Sequence, residues 1–115
     1  MADASIVFEE IQDVIVARIM DRELTRDTGG SLHVQMPQCT QPPKVVLDLS
    51  KIEFIGSIGL TVLVVFQKRI STAGGRLAIA GFSDSCREVM TVTRLDHIFE
   101  FYPNVEQSVT AMQTA

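Results

Sequence analysis

The chain has no tryptophan, one tyrosine and only two cysteines in 115 residues. Cys39 and Cys86 are far apart in sequence and form no CxxC pair, which excludes a disulfide-built scaffold and fits a reducing compartment. Lys and Arg never cluster into a run. With 14 acidic against 10 basic residues and a formal charge of −4, a nucleic-acid-binding surface is not expected. The opening MADASIVFEE is acidic and puts no basic region ahead of an apolar one, so no signal peptide is expected. The longest apolar-rich stretch, Val62 to Phe66 with its flanks, is too short to span a bilayer. These absences predict a cytoplasmic protein with no membrane insertion.

The signatures of catalysis are missing too. A G-x-S-x-G nucleophile elbow around Ser57 would need glycine at position 55, which is Ile55. The only downstream histidine is His97. Its acidic neighbour Asp96 is adjacent in sequence, a poor arrangement for orienting an imidazole in a triad. His33, His97, Cys39 and Cys86 are scattered with no zinc-ligand spacing, and no G-x-x-x-x-G-K-[ST] loop occurs. No catalytic residue, no metal and no cofactor is therefore expected, and the chain is not expected to be an enzyme.

What is present starts with length. A chain of this size makes one domain, residues 1–115, burying roughly two thirds of its unfolded surface. At 46% hydrophobic residues and a mean hydropathy of +0.23 it is apolar for a small domain, so part of its apolar surface should serve a partner.

The most informative segment is KVVLDLSKIEFIGSIGL, residues 44 to 60. Pro42-Pro43 launches a strand at Lys44 to Leu49, and Ile52, Phe54 and Ile55 lead to Gly56-Ser57-Ile58-Gly59-Leu60, where helical spacing begins. Ser57 thus stands where a helix starts. Its oxygen suits an N-cap, and the site suits a phosphate because unpaired N–H groups there favour negative charge. From 58 to 66 seven of nine residues are apolar. Helix is chosen over strand on Ser57 at the start, Gln67-Lys68-Arg69 in the closing turns and Gly74-Gly75 as the stop, which predicts a helix over 57–72. Being apolar nearly all round, it should pack one face on a sheet and leave another for something else. Asp48 and Ser50 read as strand-end hydrogen-bonding groups.

The rest of the chain supplies the frame. Ser5 to Phe8 and Val14 to Ile19 read as a hairpin linked through Glu9 to Asp13. Leu24, Thr28, Leu32 and Met36 recur at every fourth position, but Gly29-Gly30 and Pro37 interrupt, which predicts one or two short helical pieces. Arg76 to Ala80 is a strand, Ser83-Asp84-Ser85 caps a helix running towards Leu95, and Ile98 to Phe101 is a short strand. Pro103-Asn104 opens a last helix. The order β-β-(α)-β-α-β-α-β-α implies an α/β fold with a mostly parallel sheet and an antiparallel first hairpin.

The segments DLSKIEFIGSIGL, GGRLAIAG and LDHIFEFYPNVEQSV resemble the STAS domain of bacterial anti-sigma-factor antagonists over about residues 5 to 112. The resemblance implies a single STAS-type α/β domain, with a mixed, mostly parallel sheet of four to five strands and helices packed against it. It implies a partner switch: the unphosphorylated antagonist binds an anti-sigma factor that is a serine kinase and frees the sigma factor, and phosphorylation of the serine matching Ser57 dissolves the complex. Gly56, Ser57, Ile58, Gly59, Thr61 and Val62 are the implied partner-binding residues. Two positions depart from the family pattern: Gly56 stands where an acidic residue is usual, and Ile58 where a second small hydroxyl is common. The alternative is a STAS subunit, or a small-ligand or nucleotide-sensing module, of a transport or stress-signalling assembly with Ser57 unmodified.

Overall fold

Strands β1 (Ile6–Ile11) and β2 (Val14–Ile19) pair antiparallel, from Ile6 opposite Ile19 to Ile11 opposite Val14. The computed structural model that reveals this describes residues 6–35 and 43–113. Only Gln12 and Asp13 separate the two strands, both at positive φ (47° and 75°), as in the tight turns whose twist matches a hairpin. The expected five-residue link is therefore mostly strand. Glu9 and Glu10 are tolerated because β1 is an edge strand with exposed side chains, and Glu9 pairs there with Arg18 of β2.

Strands β3 (Lys44–Asp48), β4 (Arg76–Ala80) and β5 (Glu100–Tyr102) continue the sheet in the order β1-β2-β3-β4-β5, each parallel to its neighbour from β2 onward. Helices α1 (Arg26–Gln35), α2 (Ser57–Thr72) and α3 (Asp84–Val92) make the crossovers. Crossovers of one hand, in a sheet that grows in one direction, all fall on the same face. Strand alternation divides the core accordingly. Val45, Leu47, Leu77 and Ile79 meet Leu32 of α1, Leu63 and Phe66 of α2 and Met90 of α3, while Val46, Ala78 and Ala80 turn to the other face. There α4 (Val105–Gln113) packs Val109 and Met112.

Local chemistry sets the helix ends. Thr25 and Thr28 cap α1 reciprocally: the Thr28 N–H donates to Thr25 Oγ1 at 3.3 Å and the Thr25 N–H to Thr28 Oγ1 at 3.1 Å. This start, with Leu24, Thr28 and Leu32 buried, carries α1 through Gly29-Gly30, where an interruption was expected. Met36 and Pro37 lie outside the described residues. At the end of α2, the Gly74 N–H donates to Ser71 O at 2.9 Å and the Gly75 N–H to Ile70 O at 2.8 Å, with Gly74 at φ 78°, a Schellman closure. Ser83 Oγ caps α3 by accepting from the Cys86 N–H at 3.2 Å, and Asn104 Oδ1 accepts from the Gln107 N–H at 2.8 Å at the start of α4. After α3, Arg94 turns left-handed (φ 62°) into a 3₁₀ turn at Leu95–Ile98. Ile98 thus belongs to that turn, and the last strand starts two residues later than expected.

A polar cluster joins the last elements. Arg76 donates through Nε and Nη2 to Glu100 at 2.7 and 2.6 Å and through Nη1 to Ala111 O, and the Tyr102 hydroxyl donates to Glu100 at 3.0 Å. The Arg76 hydrogen bonds, helped by Tyr102, hold the Glu100 carboxyl below its ordinary range against a smaller opposing effect of burial.

Candidate functional site

The segment between β3 and α2 is anchored at close intervals. Asp48 Oδ1 accepts from the Ser50 N–H at 3.0 Å, and the Leu49 N–H donates to Ala80 O at 3.0 Å, so the Asp48 carboxylate serves the strand end as expected, with Ser50 taking part through its backbone N–H. The Glu53 N–H donates to Arg22 O at 2.8 Å, which ties this loop to the one preceding α1. Ile52 and Ile55 plug into the core, while Phe54 between them is 56% exposed. Two buried anchors on either side of an exposed aromatic fix where the chain enters α2.

Gly56, not Ser57, is the N-cap. Its backbone is extended (φ −110°, ψ −169°), its C=O accepts the first helical bond from the Leu60 N–H at 3.0 Å, and no side chain caps the helix. Ser57 is the first helical residue. It is exposed, and its hydroxyl has no hydrogen-bond partner among the described residues; its backbone carbonyl accepts from Thr61 Oγ1 at 2.9 Å. The sequence expectation that Ser57 caps the helix was one position off. The extended residue at a cap lacks helical φ/ψ, and here glycine occupies it. The first turn of α2 carries no acidic residue, so the amides of Ser57, Ile58 and Gly59, which precede the first helical bond, meet no balancing charge from their own helix.

The faces of α2 divide as its composition suggests. Gly59, Leu63, Phe66 and Ile70 are buried, whereas Ile58 (48%) and Val65 (53%) are half exposed and Thr61 is exposed between them. Val62 is half-buried. Gly59 does not reach the surface: a Cβ there would stand 2.8 Å from Ile55 Cγ1, so this glycine permits close packing of α2 on its own entry loop. Of the six residues singled out from the sequence, Gly56, Ser57, Ile58, Thr61 and Val62 share one accessible region.

That region is one wall of a groove of about 380 Å³ between α1 and α2. Along α2 its lining runs from Ser57 to Arg69, and α1 contributes Arg26, Gly29 and Gly30. Gly29 lets the helices approach, since a Cβ there would lie 3.3 Å from Val62 Cγ2, and Gly30 leaves open space. The sequence offered a signal for this wall in the glycine pair on the helical repeat, but the pair read as a helix break rather than as a helix–helix approach.

The other sequence candidates are not among the described residues that line this groove. His97 is exposed on the 3₁₀ turn, its ring 4.0 Å from the Asp96 carboxylate. Cys86 is a buried free thiol in the core, Cys39 lies outside the described residues, and so does the side chain of His33. Among the described residues no group of three His, Cys, Asp or Glu side chains could hold a metal ion, and no helix is long and apolar enough to cross a membrane.

Comparison with known proteins matches residues 4–108 to the STAS domain model. The anti-sigma F factor antagonist of Paenibacillus polymyxa is 25% identical over 111 residues, covering 94% of each chain. A candidate anti-sigma factor antagonist of Thermotoga neapolitana is 31% identical over 70 residues, so the chain spans about three fifths of that relative's length (62%) and 61% of its own. Among solved structures, an anti-sigma-factor antagonist (STAS) domain protein from Planctomyces limnophilus superposes with a TM-score of 0.84 at 28% identity, covering 97% of this chain and 99% of that one. The five-strand mixed sheet, the apolar helix after β3 and this match over nearly the whole chain have one meaning: the protein belongs to the STAS domain family.

Proposed function

We propose that this chain is an anti-sigma-factor antagonist that acts by binding rather than by catalysis. Its Ser57 loop and the exposed face of α2 dock on an anti-sigma factor that is a serine kinase, in the cytoplasm, and phosphorylation of Ser57 releases it. The observation that carries this reading is the state of Ser57. Its hydroxyl is exposed on the first residue of α2 and committed to no cap, beside the half-exposed Ile58. A hydroxyl without a structural task is open to modification, and the apolar surface around it is what a docked partner would cover. The relatives named as antagonists support the same role.

The physics of the switch follows from the position. Phosphorylation adds about −1.5 to −2 charges and several acceptor oxygens. At the start of α2 this charge is tolerated by its own helix, worth about 0.3–1 kcal/mol favourable. Under a docked apolar or acidic surface the same group would be desolvated or repelled, so binding is lost while the fold stays intact.

Calorimetry with a candidate anti-sigma factor kinase tests the reading. Ser57→Asp and Ser57→Glu should fold normally and lose at least about 1.4 kcal/mol of affinity, roughly tenfold. Ser57→Ala should bind like the wild type, resist phosphorylation and change stability by less than about 0.5 kcal/mol, because no cap is lost. Equal affinities for wild type and the acidic variants would refute the switch.

A further inference from the structure

The groove between α1 and α2 has a chemical character that the family resemblance did not suggest. The protein carries a formal charge of −4, yet among the described residues no carboxylate lines this groove. Its cations are Arg26 on α1 and Arg69 near the end of α2, and neither has an ion-pair partner among the described residues. Between them Ile58, Val62, Val65 and Phe66 form an apolar strip, with Ile58 and Val65 half exposed. Lys68 lines the shallow surface that continues past Val65 and Arg69, so the positive charge extends beyond the groove. Arginines left unpaired beside an apolar strip, on an otherwise acidic protein, are complementary to an acidic, amphipathic occupant.

Resting on the antagonist reading above, we propose that this groove receives an amphipathic helix of the protein partner, apolar on one side and flanked by Asp or Glu that pair with Arg26 and Arg69. The groove's own construction selects the helix. Beyond the first turn of α2, both walls are helices whose backbone groups are satisfied internally, so no strand edge is available for an extended peptide to join, and recognition along the groove must be by side chains. Ile58, Val62, Val65 and Arg69 follow helical i, i+4, i+7, i+11 spacing and span about 16 Å, three turns of a matching helix. The strip is too open to enclose a small molecule, because two of its apolar side chains are half in solvent. The bare Gly30 leaves room for a side chain of the incoming helix. Ser57 lines the same groove, so a phosphoryl group there adds negative charge where the acidic flank must sit and competes for the arginines. This would give the switch a specific electrostatic basis.

Two synthetic 15-residue amphipathic peptides with the same leucine face, one flanked by Glu and one by Lys, provide the test by titration into the isotope-labelled, unphosphorylated protein. The Glu peptide should bind at least tenfold tighter than the Lys peptide, weaken with added salt, and shift amides within residues 26–30 and 57–69. Arg26→Glu with Arg69→Glu, both exposed and without an ion-pair partner among the described residues, should reverse that order. Gly30→Glu should abolish binding of the Glu peptide while the amide spectrum stays folded. Equal affinity for the two peptides, shifts outside the groove, or no shift at millimolar peptide would overturn the proposal. So would binding of anionic lipid vesicles through the same arginines in the absence of peptide binding, which would make the groove a membrane-surface site. Because the peptides carry no kinase, failure here leaves the Ser57 calorimetry standing. Equal affinities in that calorimetry, with the peptide preference intact, would leave the groove without the phosphoserine switch.

Discussion

Replacing Gly56 with aspartate probes both the architecture of the site and its regulation. Gly56 is an extended N-cap at φ −110°, a conformation open to any residue, and a Cβ there meets nothing within 4 Å. Three effects then favour Asp. The unfolded chain loses glycine's freedom, worth about 0.4–1 kcal/mol. A carboxylate caps the free amides of the first turn better than glycine by a few tenths of a kcal/mol. Its charge also opposes the helix dipole, for about 0.3–1 kcal/mol at low salt. These overlap, so a net gain of about 1 kcal/mol is the reasoned figure, roughly 3–6 °C in Tm for a domain of this size. Thermal unfolding in low and high salt is the assay, with Gly56→Ala as control. Alanine shares the entropy term but caps poorly, so Asp should exceed it by about 0.5–2 kcal/mol, with part of that margin lost in high salt. An Asp variant no more stable than the Ala variant would refute the assignment of Gly56 as cap. An acidic side chain at this position would therefore act as a helix cap. If an ordered first turn presents Ser57 better, Gly56→Asp should also be phosphorylated faster by the partner kinase. A slower rate would mean that charge beside the serine opposes transfer.

Three further outcomes test the frame that holds the site. Leu63→Ala, on the buried face of α2, should cost about 2–5 kcal/mol in denaturant unfolding, whereas Val65→Ala, on the groove face, should cost under about 1 kcal/mol and weaken partner binding instead. Gly75→Ala would bring a Cβ to 2.2 Å from the Pro43 carbonyl oxygen, a clash with backbone that must shift β3 or the end of α2; a Tm drop of several degrees is expected, and an unchanged Tm would deny that contact. The depressed Glu100 carboxyl predicts acid sensitivity: on acidification the unfolded state takes up its proton first, near pH 4.5, so the contribution is complete above that value and is lost as pH falls towards the folded-state pKa. Glu100→Gln should therefore lower stability at neutral pH by about 1 kcal/mol, since the pair is partly exposed, and flatten the decline measured by urea unfolding below pH 4.5.

Much of this protein was legible in the chain because its signals are local. Val45-Val46-Leu47, all fully buried, declared a strand covered on both faces, and Gly74-Gly75 and Ser83 marked helix ends whose hydrogen bonds depend on nearby residues alone. The alternation of strands and helices, read with the handedness of crossovers, predicted a mostly parallel sheet with an antiparallel start. Composition announced that α2 had more apolar surface than a sheet could cover, but not which residues were in excess. Only the packed structure decided that Ile58 and Val65 stay half exposed while Leu63 and Phe66 are buried, because this depends on how α2 rolls against the sheet and α1. Gly56 and Ser57 could exchange cap and first-turn roles on paper. The cap went to Gly56 because Ile52 and Ile55 anchor the loop in the core and so set the point where helical geometry begins. The groove was the least visible feature of all. Gly29-Gly30 breaks an isolated helix but in the folded domain allows α1 to lie close to Val62, and Arg26 and Arg69, 43 positions apart in sequence, come to line one groove, which no local pattern records.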